Sequence, residues 1–172
     1  ICAIALSALL SISLSQAAGS GYIDIDLSEP EVELTASFDG AELLLFGIHN
    51  PGTDVIIVVR GPGLNTPVRR KERVAGVWVN SDEITFKNVP TFYSSASTLP
   101  PSEILPAKTL KKHEIGVENL NLEIENSTVS KDEIKLFSAG LIRNMAKADL
   151  YGSDVSKINK VGRQLFRTNL WF

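Results

Sequence analysis

The residues best suited to bind a ligand are four arginines in and near one basic segment, VRRKERV, at residues 68–74. They are Arg60, Arg69, Arg70 and Arg73. The planar guanidinium group presents paired N–H donors that match the geometry of an oxyanion. One hypothesis is therefore that these four side chains bind an oxyanion such as sulfite or a sulfonate.

The basic segment also has other interpretations, and the sequence leaves them open. Such a run can bind anionic lipid headgroups, a nucleic acid or an acidic partner. It can equally be a solvated hairpin edge, where charge discourages edge-to-edge pairing. A further interpretation is ion pairing with the acidic stretch at residues 19–46, which has seven acids and no base. Because the apolar N-terminal segment predicts export, we do not expect nucleic-acid binding.

Side chains suited to catalysis or metal binding are sparse. His49 adjoins an Asn-Pro-Gly turn and His113 lies in a charged stretch, so both are predicted to be solvated loop histidines. Neither belongs to an HExxH motif or to a Cys/His zinc spacing. The sequence contains no G-x-S-x-G nucleophile elbow. We therefore predict a protein that is not an enzyme and has no metal site or cofactor.

The N-terminal segment predicts export. Residues 1–18 are uncharged and mostly apolar. Near the end of this segment, Ser15-Gln16-Ala17 has the small-x-small form accepted by signal peptidase. We predict a signal peptide over residues 1–17 whose basic n-region is missing. The single cysteine, Cys2, lies within it, so the mature chain has no thiol. Residues 18–172 are then long enough for one periplasmic domain with its own core.

Strands dominate the first part of that domain. Residues 31–38 alternate between polar and apolar side chains, Asp39-Gly40 favours a two-residue turn, and residues 41–48 return as a second strand. A β-branched run at residues 54–60 predicts a strand buried on both faces. Further strands are predicted at residues 68–80, 84–89, 92–97 and 117–124, with a turn at Ser81-Asp82. This spacing, without intervening helices, predicts a mainly β protein with an immunoglobulin-like antiparallel β-sandwich.

One amphipathic helix is predicted at about residues 130–151, inserted before the last strand. Ser130 and Glu133 form a capping box, Val129 can staple against Ile134, and Gly152 is a natural C-cap. An apolar stripe recurs at helical spacing. It consists of Ile134, Phe137, Leu141, Met145 and Ala148. Residues 162–172 then predict a strand that ends in apolar side chains. We expect the chain to be a fragment truncated at its C-terminus, and to be prone to aggregation because of its exposed sheet edge.

Several segments together resemble a known family. In order, they are DVIIVVRGPG, VRRKERVAGVWVN, VPTFYSSAS, EIGVENLNL and GRQLFRTNL. This series, from about Ile23 to the last residue, is similar to an alphaproteobacterial family of putative transmembrane proteins. The resemblance implies a signal peptide, a periplasmic β-rich domain and a C-terminal membrane helix that lies beyond this chain. It implies no established activity, and it suggests an association with a sulfite-exporter-like permease.

Two functional hypotheses follow. The first is a non-enzymatic periplasmic domain, anchored to the inner membrane, that acts as an accessory or interaction module for a membrane partner such as a permease. The second is a periplasmic oxyanion-binding domain that uses Arg60, Arg69, Arg70 and Arg73. The two differ in whether the arginines converge on one pocket or lie apart on an exposed strand.

Overall fold

The structure is a computed structural model, which describes residues 21–29, 42–125, 129–152 and 154–171. Its strands are β1 (Ile23–Leu27), β2 (Glu42–His49), β3 (Ile56–Arg60), β4 (Gly63–Val74), β5 (Val77–Pro90), β6 (Tyr93–Ser97), β7 (Glu123–Ile124), β8 (Ser156–Lys157), β9 (Asn159–Val161) and β10 (Leu165–Trp171). The helices are α1 (Pro101–Ile104), α2 (Ala107–Lys112) and α3 (Lys131–Lys147), with one 3₁₀ turn at Val117–Asn119. The mainly β class is confirmed.

In the described part of the chain, two of the three sheets share one apolar core. One has the strand order β1-β2-β10-β9, and the other has the order β3-β6-β8. Strand β2 alternates buried and less buried residues, as a half-buried strand must. Its inner side chains join those of the second sheet in one apolar cluster, made of Leu45, Val55, Ala96, Ile158, Phe166 and Leu170. This cluster is the first core of the protein.

A second core lies between the third sheet and α3. That sheet has the order β4-β5-β7 and is dominated by the long β4–β5 hairpin. Phe137 and Leu141 of α3 are buried against Ile84, Phe86 and Val89 of β5. The predicted apolar stripe is therefore confirmed as the packing face of the helix for Ile134, Phe137, Leu141 and Met145, whereas Ala148 is exposed.

The start of α3 is also confirmed. The Ser130 hydroxyl accepts a hydrogen bond from the Glu133 N–H at 3.3 Å, and the Glu133 carboxylate accepts one from the Ser130 N–H at 3.1 Å. The Ser130 hydroxyl also donates to the Glu133 carboxylate at 2.7 Å, and this bond, together with that from the Ser130 N–H, holds the pKa of Glu133 below its usual value. The predicted end is wrong, because α3 stops at Lys147 and Ala148 caps it. Three strands, β8 to β10, follow the helix where one was predicted.

Four strand predictions need correction. The strand predicted at residues 117–124 is a 3₁₀ turn at Val117–Asn119 followed by a strand only at Glu123–Ile124. Residues 68–80 were predicted as one strand, but Ala75 and Gly76 form a turn with φ of 49° and 87° that joins β4 to β5. Ser81-Asp82 is not a turn; both residues lie within β5, where they form a bulge opposite the single residue Arg70 of β4. Strand β3 exists, but its apolar residues are only half-buried. The first strand and the turn of the predicted hairpin, at residues 31–40, and the predicted signal peptide at residues 1–17 lie outside the described residues, whereas the second strand of that hairpin is β2.

Candidate functional site

Arg60, at the end of β3, is held in a structural network. Its guanidinium group pairs with the Glu114 carboxylate and donates a hydrogen bond to the His113 carbonyl oxygen at 2.6 Å. It also lies 5.9 Å from the centre of the Tyr93 ring, within range of a cation–π interaction. The side chain lines a surface groove of about 220 Å³ that none of the other three predicted arginines reaches. Arg60 therefore already has an anionic partner.

Arg69 and Arg70 are neighbours on β4, so their side chains lie on opposite faces of the hairpin. Arg69 pairs with Glu83 of β5. Arg70 pairs with Asp82, and its Nε lies 3.1 Å from a carboxylate oxygen of Glu72. Both arginines are thus matched by carboxylates across the hairpin or next to them.

Arg73 lies close to the hairpin turn, where its Nε donates a hydrogen bond to the Gly76 carbonyl oxygen at 3.3 Å. The four predicted arginines are therefore spread from β3 to the end of β4, and three of them are paired with acids. This arrangement does not support a shared pocket. The oxyanion hypothesis stays a prediction without structural support.

His49 is not a solvated loop histidine, so that prediction is wrong. It is the last residue of β2 and is 3% exposed, because its side chain points into the space between the sheets. Its Nδ1 lies 2.7 Å from the Asn50 carbonyl oxygen and 3.0 Å from the Thr53 hydroxyl, and its ring packs against Phe166. His113 is exposed, as predicted.

Tyr93 and Tyr151 join α3 and the following segment to the sheets. Their rings contact each other with centroids 6.0 Å apart, and both are almost completely buried. The Tyr93 hydroxyl donates to the Glu114 carbonyl oxygen and accepts from the Gly116 N–H, and the Tyr151 hydroxyl donates to the Pro90 carbonyl oxygen. Burial raises the pKa of both phenols, that of Tyr151 to about 12.

These shifts predict alkaline destabilisation. Because the folded-state pKa of Tyr151 is above the unfolded value of 10.0, its contribution is complete below about pH 10 and is lost as pH rises to about 12. We expect a loss of about 2 kcal/mol from this residue. Urea unfolding of wild type and Tyr151→Phe across this range measures it. The variant should be less stable at neutral pH, and the gap should close or reverse near pH 12; a constant gap would contradict the assignment.

The outer face of the β1-β2-β10-β9 sheet is an apolar surface that the sequence analysis missed. Strand register places Val161, Leu165 and Ile48 in one row across three strands. Phe46 lies in the next row, beside Arg167. Leu165 is 50% exposed and Val161 44% exposed. We call Leu44, Phe46, Ile48, Val161 and Leu165 the outer apolar face. In the sequence β2 is apolar on both faces, but only the strand register brings Leu165 and Val161 beside it.

Two kinds of feature are absent from the described residues. No group of three or more His, Cys, Asp or Glu side chains there could hold a metal ion. No helix in the described part of the chain is both long and apolar enough to cross a membrane.

The chain matches one family model over residues 22–172, which includes almost every residue that the structure describes. The description of that family is Putative transmembrane protein (Alph_Pro_TM). The chain belongs to this family. No curated protein and no solved structure matches this chain. The family resemblance drawn from the sequence is therefore confirmed, and the family description associates the chain with a membrane.

Proposed function

We propose that this chain is a non-enzymatic periplasmic domain that binds a protein of the inner membrane, such as a permease. The observation that carries the proposal is the outer apolar face of the β1-β2-β10-β9 sheet. Membrane association is supported by the family description. Export through the predicted signal peptide at residues 1–17, and a tether through a membrane helix outside this chain, are parts of the same proposal.

The outer apolar face has the character of a protein interface. A sheet packed on one side ordinarily carries polar residues on its solvated side. Here the solvated side carries Phe46 and Leu165, and polar residues surround them: Asp24, Asp26, Glu42, Asn159, Arg167 and Asn169. A contiguous apolar patch with a polar rim is typical of a binding surface. A partner that covers this face would gain a favourable free energy of about 25 cal/mol for each Å² of apolar surface that it removes from water.

We further propose that the two sheets of the first core form the immunoglobulin-like sandwich predicted from the sequence. Their shared core supports this architecture. The β4–β5 hairpin and α3 then form an addition with its own core. In this arrangement the inner faces hold the sandwich together, and the outer apolar face is left to a partner.

Site-specific photo-crosslinking in cells tests the proposed interface. A photoreactive aromatic residue at Phe46 should give one discrete adduct with an integral membrane protein, identified by mass spectrometry. Adding Leu165→Glu should reduce that adduct at least about tenfold, because the interface would have to bury a carboxylate.

The matched control is the same photoreactive residue at Leu136, which is 57% exposed on α3. It should give no such adduct. Equal crosslinking from positions 46 and 136 would contradict the proposal, as would an adduct that Leu165→Glu leaves intact. Circular dichroism of each variant checks that the fold is retained.

A further inference from the structure

The β4–β5 hairpin ends in a projecting tip whose side chains are exposed. Every residue from Lys71 to Glu83 is exposed. The largest apolar side chain there is Trp78, which is 65% exposed, and Val74, Val77 and Val79 are exposed beside it. We call residues 71–80 the hairpin tip. It contributes little to either core, so folding of the rest of the chain does not explain its apolar residues.

Strand register gives the tip two different faces. Arg73 lies opposite Trp78, and Lys71 lies opposite Asn80, so these four residues share one face. Val74 and Val77 lie opposite each other on the second face, which Val79 shares. The two-residue Ala75-Gly76 turn keeps the strands in register up to the end. The tip therefore combines an aromatic and basic face with a face of valines.

The two cations of the tip, Lys71 and Arg73, are exposed to an external anion, although Arg73 also donates its Nε–H to the Gly76 carbonyl oxygen within the turn. Arg69 and Arg70, further from the turn, are matched by Glu83 and Asp82. Among the residues that the structure describes, Lys71 and Arg73 form no ion pair. The one acid in the tip, Glu72, is close to Arg70.

We propose that the hairpin tip inserts into the headgroup region of an anionic phospholipid bilayer. Trp78 suits that depth because its ring is apolar and its N–H is polar, and tryptophan is enriched at membrane interfaces. The valines would enter the upper acyl region, while Lys71 and Arg73 would contact lipid phosphates. A groove on a protein is the less favoured binding partner. The tip combines exposed cations with small apolar side chains, which match a bilayer that has a negatively charged surface and an apolar interior.

Tryptophan fluorescence of the full chain tests insertion directly. The sequence has two tryptophans, so Trp171→Phe leaves Trp78 as the single reporter. With vesicles of phosphatidylcholine and phosphatidylglycerol in equal parts, its emission should shift to shorter wavelength and be quenched by lipids brominated near the headgroup. Vesicles of phosphatidylcholine alone should give a much smaller change, and added salt should weaken the effect.

Vesicle flotation of variants in the otherwise native chain tests the residues. Lys71→Gln with Arg73→Gln should lower binding to the anionic vesicles about twenty-fivefold, since each cation near such a surface contributes about fivefold. Trp78→Ala should lower it about tenfold. The matched control is Trp171→Ala, because Trp171 is also 65% exposed but lies at the end of β10. It should leave binding unchanged.

Three results would overturn the proposal. The first is an emission wavelength of Trp78 that does not shift when anionic vesicles are added. The second is an emission shift that depends on protein concentration without lipid, which would assign the tip to a second copy of the chain. The third is equal loss of flotation in Trp78→Ala and Trp171→Ala. Crosslinking from Phe46 is measured separately, so the two proposals can fail independently.

Discussion

Replacing Tyr93 with alanine is expected to lower the free energy of unfolding by about 5 kcal/mol. Tyr93 has no exposed surface. Truncating a buried aromatic side chain costs about 3–5 kcal/mol because it leaves a cavity. Loss of the hydroxyl would also leave the buried Gly116 N–H without its acceptor, and this unsatisfied donor costs about 1 kcal/mol more.

The effect is large because Tyr93 connects three parts of the chain. Its hydroxyl accepts from the Gly116 N–H at 2.7 Å and donates to the Glu114 carbonyl oxygen at 2.8 Å, which fixes the loop after α2. Its ring packs against Tyr151, in the segment after α3, with the ring centroids 6.0 Å apart. Its ring also supports the guanidinium group of Arg60.

Urea unfolding followed by circular dichroism measures the effect. Tyr93→Phe keeps the ring and removes the hydroxyl, so it should cost about 1–3 kcal/mol. Tyr22 provides a matched control, because its hydroxyl also accepts one hydrogen bond, from Gln164, but its side chain is 45% exposed. Tyr22→Phe should change stability by less than about 0.5 kcal/mol. A similar cost for Tyr93→Ala and Tyr22→Ala would contradict the role given to Tyr93.

The sequence predicted those features that depend on neighbouring residues. The capping box and apolar stripe of α3 follow from spacings of three and four residues, and both are confirmed. The prediction failed at Ala75 because alanine seldom adopts positive φ, so the pair Ala75-Gly76 did not indicate a turn. One strand was consequently predicted where the chain forms the hairpin tip.

Contacts between distant residues could not be predicted in this way. His49 lies next to a turn in the sequence, but pairing of β2 with β10 places it against Phe166. The arginines were identified as candidate ligand residues from their own segment, whereas the partners of Arg60 and Arg69 are 54 and 14 residues away. The outer apolar face required the register of three strands, which no local pattern specifies.

Replacing Gly47 with alanine should lower the free energy of unfolding by about 3 kcal/mol, an effect second to that of Tyr93→Ala. Gly47 lies in the middle of β2, between Ile25 of β1 and Phe166 of β10. A Cβ atom there would overlap the Asp24 carbonyl oxygen and lie 2.8 Å from a ring carbon of Phe166. Phe166 is 1% exposed in the first core and has little room to move, and overpacking of a dense core costs about 1–3 kcal/mol.

Gly140→Ala is the matched control, since Gly140 lies within α3 and a Cβ atom there meets nothing within 4 Å. Alanine is the better helix former by about 1 kcal/mol, so this variant should be more stable than wild type. The same substitution is thus expected to act in opposite directions at the two sites, as measured by urea unfolding. A loss in Gly47→Ala below about 0.5 kcal/mol would show that β1 and β10 can separate enough to admit a methyl group. That result would contradict the close packing of β1 and β10 on either side of Gly47.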